Sequence, residues 1–327
     1  MPPKGKRPPF LSVAVMRRAF QARLLSVHPR AVRVMKVAIV RLGGFEDRSH
    51  KLRYTLRLRL RSGQARSLRL RASSEAQDQT RRQAYVLMKY LWRHGFDRGP
   101  WQITRPVTFF KRWRLLVYEE AAGTPLIMAL RHGYQSGLTS MDMAAAWLHR
   151  LHQHSPRTVP LVYSRIGRKQ YWRNALALLA PERSQASAAL RGNIRRVMAF
   201  EDRLSSARQR VFVHHDFHPG NILRFAGGLR VVDFTESRLS HPLIDVATFV
   251  TQLELLFASA IPPDRLAGWQ ERFLETYRRR TNISYTSPLA RRIFRFVLYR
   301  IDLQRQVAAQ LFGDPAARRD ALATVQW

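Results

Sequence analysis

The stretch VFVHHDFHPGNILRF, residues 211–225, decides how this chain is read. It sits in a protein with only 22 acidic residues, yet it sets Asp216 between His215 and His218 and follows it with Pro219, Gly220 and Asn221. An apolar run enters a polar loop and leaves as NILRF, the pattern of strand, loop and strand. A Gly227-Gly228 turn then leads into LRVVDF, which ends on Asp233. A β-hairpin brings its strand ends side by side, so Asp216, Asn221 and Asp233 can converge. Two carboxylates and an amide oxygen make a hard-oxygen set, suited to Mg²⁺, which fills the rest of its shell with water and substrate phosphates. Asp216, if it stays off the metal, is placed to accept a proton from a hydroxyl.

Composition bounds what surrounds this loop. A length of 327 residues predicts two domains or lobes at roughly 150 residues each. A hydrophobic content of 46% supports a core, and no apolar run reaches the roughly 18 residues of a membrane-spanning helix. The absence of cysteine excludes disulfides, thiolate metal sites and a cysteine nucleophile. Four histidines, at 214, 215, 218 and 241, raise a zinc cluster as an alternative, which the missing thiolates disfavour. The formal net charge is +35, and fifty of the 57 cationic residues are arginine. Such a chain attracts polyanions; the competing reading is arginine scattered over solvated faces.

The first 45 residues contain no acid. MPPKGKRPP reads as a tail, and residues 10–27 have helical spacing, interrupted by Arg17 and Arg18, which makes a poor secretory signal. A membrane-surface helix, an organelle presequence and a helix packed on the body all fit, with packing the plainest. Residues 1–35 are set apart as this tail and helix. Residues 36–120 form a β-rich lobe: Leu52, Tyr54, Leu56, Leu58 and Leu60 alternate with polar residues, as in half-buried strands. Residues 75–94 read as a helix stopped by Gly95, and a hairpin follows around KRW (111–113). AAGTPL (121–126) is a small-residue linker, and residues 121–327 form a mainly helical lobe carrying the loop.

The spacing His214-His215-Asp216, then Asn221, then Asp233-Phe234 resembles the catalytic loop and metal-binding Asp-Phe of kinases. Its wording resembles the aminoglycoside phosphotransferase family, also called the phosphotransferase enzyme family. That family shows HGDxHPGNIL, a strand ending in IDF or VDF, then a Pro and a second Asp; here the counterparts are HHDFHPGNIL, VVDF and HPLIDVATFV. AWLHRLHQ (146–153) resembles its helix ending in leucine-histidine, and VYEEAAGTPL (117–126) its hinge. The resemblance implies an α+β, two-lobed protein kinase-like fold with a small antiparallel β lobe and a larger helical lobe. It implies ATP and Mg²⁺ as cofactors and transfer of the γ-phosphate to a hydroxyl. Asp216 becomes the catalytic base, with His214 bracing the loop, and Asn221 and Asp233 hold the metal. Asp245 caps its helix and ties down the loop. The backbone at Glu120 and Ala121 meets adenine, and Gly43 and Gly44 cover the phosphates.

The pattern breaks in the β lobe. The kinase lysine and its helix glutamate are replaced by Arg71 and Gln83, an exchange expected to leave Arg71 free for phosphate; Lys51 is a second candidate cation. The acceptor is expected to be a small hydroxyl compound such as a sugar, a glycan or another alcohol, anionic or neutral, because a +35 chain is a poor host for polycations. Glu236, Glu254, Asp302 and the hinge glutamates are the residues that could still build a local acidic patch. Phe257, Trp269, Phe273, Tyr277, Phe294 and Tyr299 are candidate lining for the acceptor or, alternatively, core. The competing function is a catalytically inactive kinase-fold protein that binds nucleic acid or acidic membrane through its arginines. A cytoplasmic protein, with possible peripheral membrane contact, is the expected setting.

Overall fold

The computed structural model describes residues 8–24, 28–43, 49–75, 80–154, 167–205 and 210–312. The described residues divide into two compact units, one taking residues up to 97 together with 103–121, the other 98–102 and those from 122 to 312.

The first unit opens with helix α1 (Val13–Leu24), followed by β1 (Ala31–Gly43), β2 (Ser49–Leu60), β3 (Ala65–Glu75) and α2 (Thr80–Leu91). Strands β5 (Pro106–Phe110) and β6 (Leu115–Glu119) complete this unit, while β4 (Trp101–Ile103) before them lies mostly in the second unit. Five of them form an antiparallel sheet in the order β1-β2-β3-β6-β5. The alternation in β2 is carried into space: Leu52, Tyr54, Leu56 and Leu58 are buried, because successive strand residues face opposite sides. Met16, Phe20 and Leu24 of α1 pack into this core with Leu68 and Leu70 of β3. Of the readings for the N-terminal helix, packing on the body is the one seen: α1 belongs to the sheet's core, and β1 begins at Ala31. Gln21 fastens the arrangement, its side chain accepting from Val34 N (2.7 Å) and donating to Val32 O (3.2 Å). That pairs off part of an edge strand, which would otherwise offer open backbone groups.

The second unit contains β7 (Thr124–Pro125), α3 (Leu126–Ala129), α4 (Tyr134–His152), α5 (Gly167–Leu179), α6 (Gln185–Ser205), β8 (Val211–Val213), β9 (Ile222–Phe225) and β10 (Gly228–Val231). It ends with β11 (Arg238–Ser240), α7 (Leu243–Phe257), α8 (Pro263–Thr281) and α9 (Pro288–Phe312). Helices α4 and α8 approach closely at Gly137, where an added Cβ would lie 2.3 Å from the indole nitrogen of Trp269.

Two sequence expectations change here. AAGTPL is not a loose linker, because Thr124–Pro125 pair with Leu223 and Arg224 of β9. The entering strand does not continue into the hairpin either. β8 pairs with β11, and the hairpin is β9 with β10. A short 3-10 turn at Pro219–Asn221 redirects the chain between them, since proline fixes its own φ and donates no backbone hydrogen bond. The polar loop thus hangs between two small sheets.

Candidate active site

The loop is held from beneath by one carboxylate. Asp245, fully buried in the first turn of α7, accepts from His214 N (2.7 Å) and His215 N (2.6 Å). Its Oδ2 also meets His152 Nε2 at 3.0 Å, and His152 Nδ1 lies 2.7 Å from the Tyr277 hydroxyl. Burial raises the pKa of that phenol, which keeps it a neutral donor; with Tyr277 donating to Nδ1, Nε2–H is left to donate to Asp245. Three partners thus converge on one buried carboxylate and satisfy it. The carboxylate does not cap α7: no side chain caps that helix at Pro242, and Leu243 N donates instead to His241 Nδ1 at 3.3 Å. Burial of His241 lowers its pKa to about 4, so it stays neutral and able to accept.

His215 occupies the position where the family's HGD pattern has glycine. Its φ is +69°, in the left-handed region that costs an ordinary residue free energy. The imidazole is fixed by two arginines, Arg238 and the fully buried Arg300 of α9, at 3.3–3.4 Å. Arg300 also donates to Thr248 Oγ1 at 3.1 Å, and Arg238 lies 3.1 Å from buried Glu201 of α6. This second brace was not foreseen.

Asp216 is the loop's outward carboxylate, its side chain 35% exposed. Asn221 Nδ2 donates to both its Oδ2 and its backbone oxygen at 3.0 Å. His218 Nε2 lies 3.6 Å from the same Oδ2, while His218 Nδ1 accepts from Gly220 N at 3.0 Å. Gly220 must be small, since a Cβ there would stand 2.7 Å from the His218 ring.

The amide of Asn221 spends its nitrogen on Asp216, and no described hydrogen bond reaches its Oδ1. Val232 N donates to Asn221 O (3.0 Å), and His214 Nε2 donates to Val232 O (2.9 Å), so the residue before Asp233 is tied to both loop residues. Asp233 also has a left-handed backbone, φ +60°. Its Oδ1 accepts from Thr235 N (3.3 Å) and Thr235 Oγ1 (2.5 Å), and no described bond reaches its Oδ2. Two oxygens without partners among the described residues, one amide and one carboxylate, fit a hard divalent cation that completes its shell with water and phosphate.

In the first unit, Glu120 accepts from Arg71 Nε (2.6 Å) and Arg53 Nε (2.9 Å), with Arg69 at 3.8 Å. Arg71 is therefore not free, because the hinge supplies the carboxylate that the helix lacks. Gln83 is buried on α2. Glu119 lies 3.0 Å from His28 and 3.5 Å from Arg105, so neither hinge glutamate is left to build an acidic patch. Gly43 ends β1 opposite Lys51 of β2, Ala121 follows Glu120, and Gly44 lies outside the described residues. Of the candidate acceptor lining, Phe257, Trp269, Phe273 and Tyr277 are fully buried core. Phe294 lines a cavity of about 680 Å³ with Leu274, Tyr285, Pro288, Arg291 and Arg295.

The model of the phosphotransferase enzyme family matches residues 43–285. The chain belongs to the phosphotransferase enzyme family. Solved structures of similar fold include an amicoumacin kinase in complex with AMP-PNP and Ca²⁺, with a TM-score of 0.57, 18% identity and coverage of 94% of this chain and 92% of that one. A choline kinase from Cryptosporidium parvum Iowa II gives a TM-score of 0.55 at 12% identity, covering 90% and 87%. An aminoglycoside-3'-phosphotransferase of type VIII gives 0.54 at 17% identity, covering 80% and 93%. The kinase-like fold is thereby shown. No curated protein matches the sequence. The matched phosphotransferase segment contains the loop, the hairpin and Asp245, and it leaves Arg300 outside.

Proposed function

We propose that the protein is an ATP-dependent phosphotransferase that moves the γ-phosphate to a hydroxyl of a small molecule. One observation carries this reading: Asp216, Asn221 and Asp233 are gathered on one loop and hairpin, with metal-type oxygens left open on the last two. Mg²⁺, held by Asn221 Oδ1 and Asp233 Oδ2, would neutralise charge on the transferring phosphate. Asp216 accepts the proton of the acceptor hydroxyl as the new P–O bond forms and the bond to the ADP leaving group breaks. Asn221 and His218 hold that carboxylate in one orientation, which is how positioning lowers such a barrier. Asp245 fixes the loop through two backbone N–H groups, and His214 ties it to the hairpin. In the first unit, the nucleotide contacts we assign are Gly43 and Gly44, Arg71, and the backbone of Glu120 and Ala121.

The acceptor we assign is a neutral or anionic alcohol. Both hinge carboxylates are engaged by cationic or imidazole groups, so they offer nothing to a polycation. The test follows ADP release with a neutral sugar, a phosphorylated sugar and an aminoglycoside as acceptors. Acceptor-dependent ADP release with either sugar, at least about tenfold above the aminoglycoside, is the expected result. Efficient turnover of the aminoglycoside alone would overturn the acceptor assignment.

A further inference from the structure

The last helix opens with a charge arrangement that the catalytic loop does not use. Helix α9 has no acidic residue in its first turn, although the positive end of a helix dipole favours acids there. Arg291 and Arg295 stand near that end instead, one turn apart on the same side of the helix, where like charges repel. Both are exposed. Nearby arginines are engaged: Arg278 and Arg279 pair with Glu275, and Arg292 lies over the Phe200 ring at 5.1 Å. Arg291 and Arg295 have no side-chain hydrogen bond or ion pair among the described residues. They line the cavity of about 680 Å³ together with Leu274, Tyr285, Pro288 and Phe294, and no acid joins them. The Tyr285 hydroxyl donates to Leu274 O on α8 at 2.9 Å, so the tyrosine offers the cavity its ring. That ring meets Phe294 edge to face, with centroids 6.2 Å apart. The volume is that of a small-molecule site. At 3.6 residues per turn, Arg291 sits half a turn round the helix from Arg300 and about 13 Å along it. Arg300 holds His215, so the cavity lies on the side of α9 turned away from the catalytic loop.

We propose that this cavity is a second binding site, one that takes an aromatic carboxylate. The ring lies against Phe294 and Tyr285, where aromatic pairs gain beyond the area they bury. The carboxylate is held by Arg291 and Arg295, whose planar guanidiniums match its geometry. Its charge separates two repelling cations and answers the open end of the helix dipole. A neutral aromatic compound of the same shape fills the walls and leaves both cations uncompensated. A bare inorganic anion meets the cations and leaves the apolar walls wet. The site is built from α8, α9 and the turn between them, and it uses no residue of the phosphotransferase reading.

The experiment is calorimetric titration of naphthoate, with naphthalenemethanol and inorganic phosphate as the two partial ligands, and with no nucleotide present. Wild type is compared with Arg291→Gln, Arg295→Gln and, as a control, Arg195→Gln, which alters an exposed arginine of α6. Naphthoate is expected to bind wild type at one site, and each α9 variant about tenfold more weakly, with the control unchanged. Naphthalenemethanol and phosphate should each bind wild type at least about tenfold more weakly than naphthoate. Neither α9 variant should melt below wild type, because removing a like charge from the positive end of a helix costs no stability; weaker binding then reports the site and not the fold. Three results would overturn the proposal: no binding of naphthoate to wild type, equal binding by all four proteins, or either partial ligand binding as tightly as the acid. Naphthoate needs neither ATP nor Asp233, so the site can stand if the phosphotransferase reading fails, and can fail while that reading stands.

Discussion

Asp216→Asn is expected to lower kcat by roughly 10²–10⁴-fold, the range that a positioned general base supplies. The amide is nearly isosteric, and the Asn221 Nδ2 contact with the backbone oxygen of Asp216 survives the change. The fold and the affinity for ATP should therefore persist while turnover is lost. The check is acceptor-dependent ADP release beside a nucleotide titration of the same preparation. Activity within about twofold of wild type would move the proton-accepting role off this residue.

The second large effect lies beneath the loop. Asp245→Asn puts an amide where three donors converge: the N–H groups of His214 and His215 and the His152 ring. The amide brings its own N–H groups toward those donors, so at least one buried donor is left without an acceptor. Breaking a buried, charge-assisted network in this way costs about 3–5 kcal/mol. For a unit of this size that corresponds to a fall of roughly 6–20 °C in Tm. Catalysis should fall with it even below the new melting temperature, because the loop's left-handed turn at His215 loses the anchor that fixes it. Thermal unfolding by circular dichroism together with ADP release at low temperature measures both. An unchanged melting point would show that Asp245 does not carry the loop.

The loop and hairpin were legible because their signals are local. Asp216, Asn221 and Asp233 fall within eighteen positions of sequence, and the hairpin that gathers them is announced by Gly227 and Gly228. The alternation of β2 was legible for the same reason, since burial follows a period of two. What was lost is long-range. Glu120 meets Arg71 across 49 positions and Arg300 meets His215 across 85, and no local pattern says which arginine of fifty finds which partner. The capping role assigned to Asp245 followed from its place at a helix start, where short acids often cap; the buried N–H groups of the neighbouring loop won instead. The aromatic residues of α7 and α8 could not be sorted into core and lining by spacing, because helical periodicity marks a buried face without saying what covers it.

The missing β-lobe lysine is the sharpest departure from the kinase pattern, and the hinge gives it a physical context. Arg71 has a counter-ion in Glu120, so the sheet keeps a paired cation at that position with a different acid. An inactive protein that binds polyanions through its arginines would behave differently from the enzyme proposed. Its binding would fall steeply with salt and ignore the hairpin carboxylate.

Calorimetric titration of ATP with and without Mg²⁺, on wild type and on Asp233→Ala, tests the central claim most directly. Asp233 lies at a hairpin end, and its Oδ1 caps only the short turn at Phe234–Glu236, so the variant should fold. The account predicts that Mg²⁺ tightens ATP binding to wild type by about tenfold or more and has no such effect on Asp233→Ala. Equal binding by both proteins, indifferent to Mg²⁺, would contradict it.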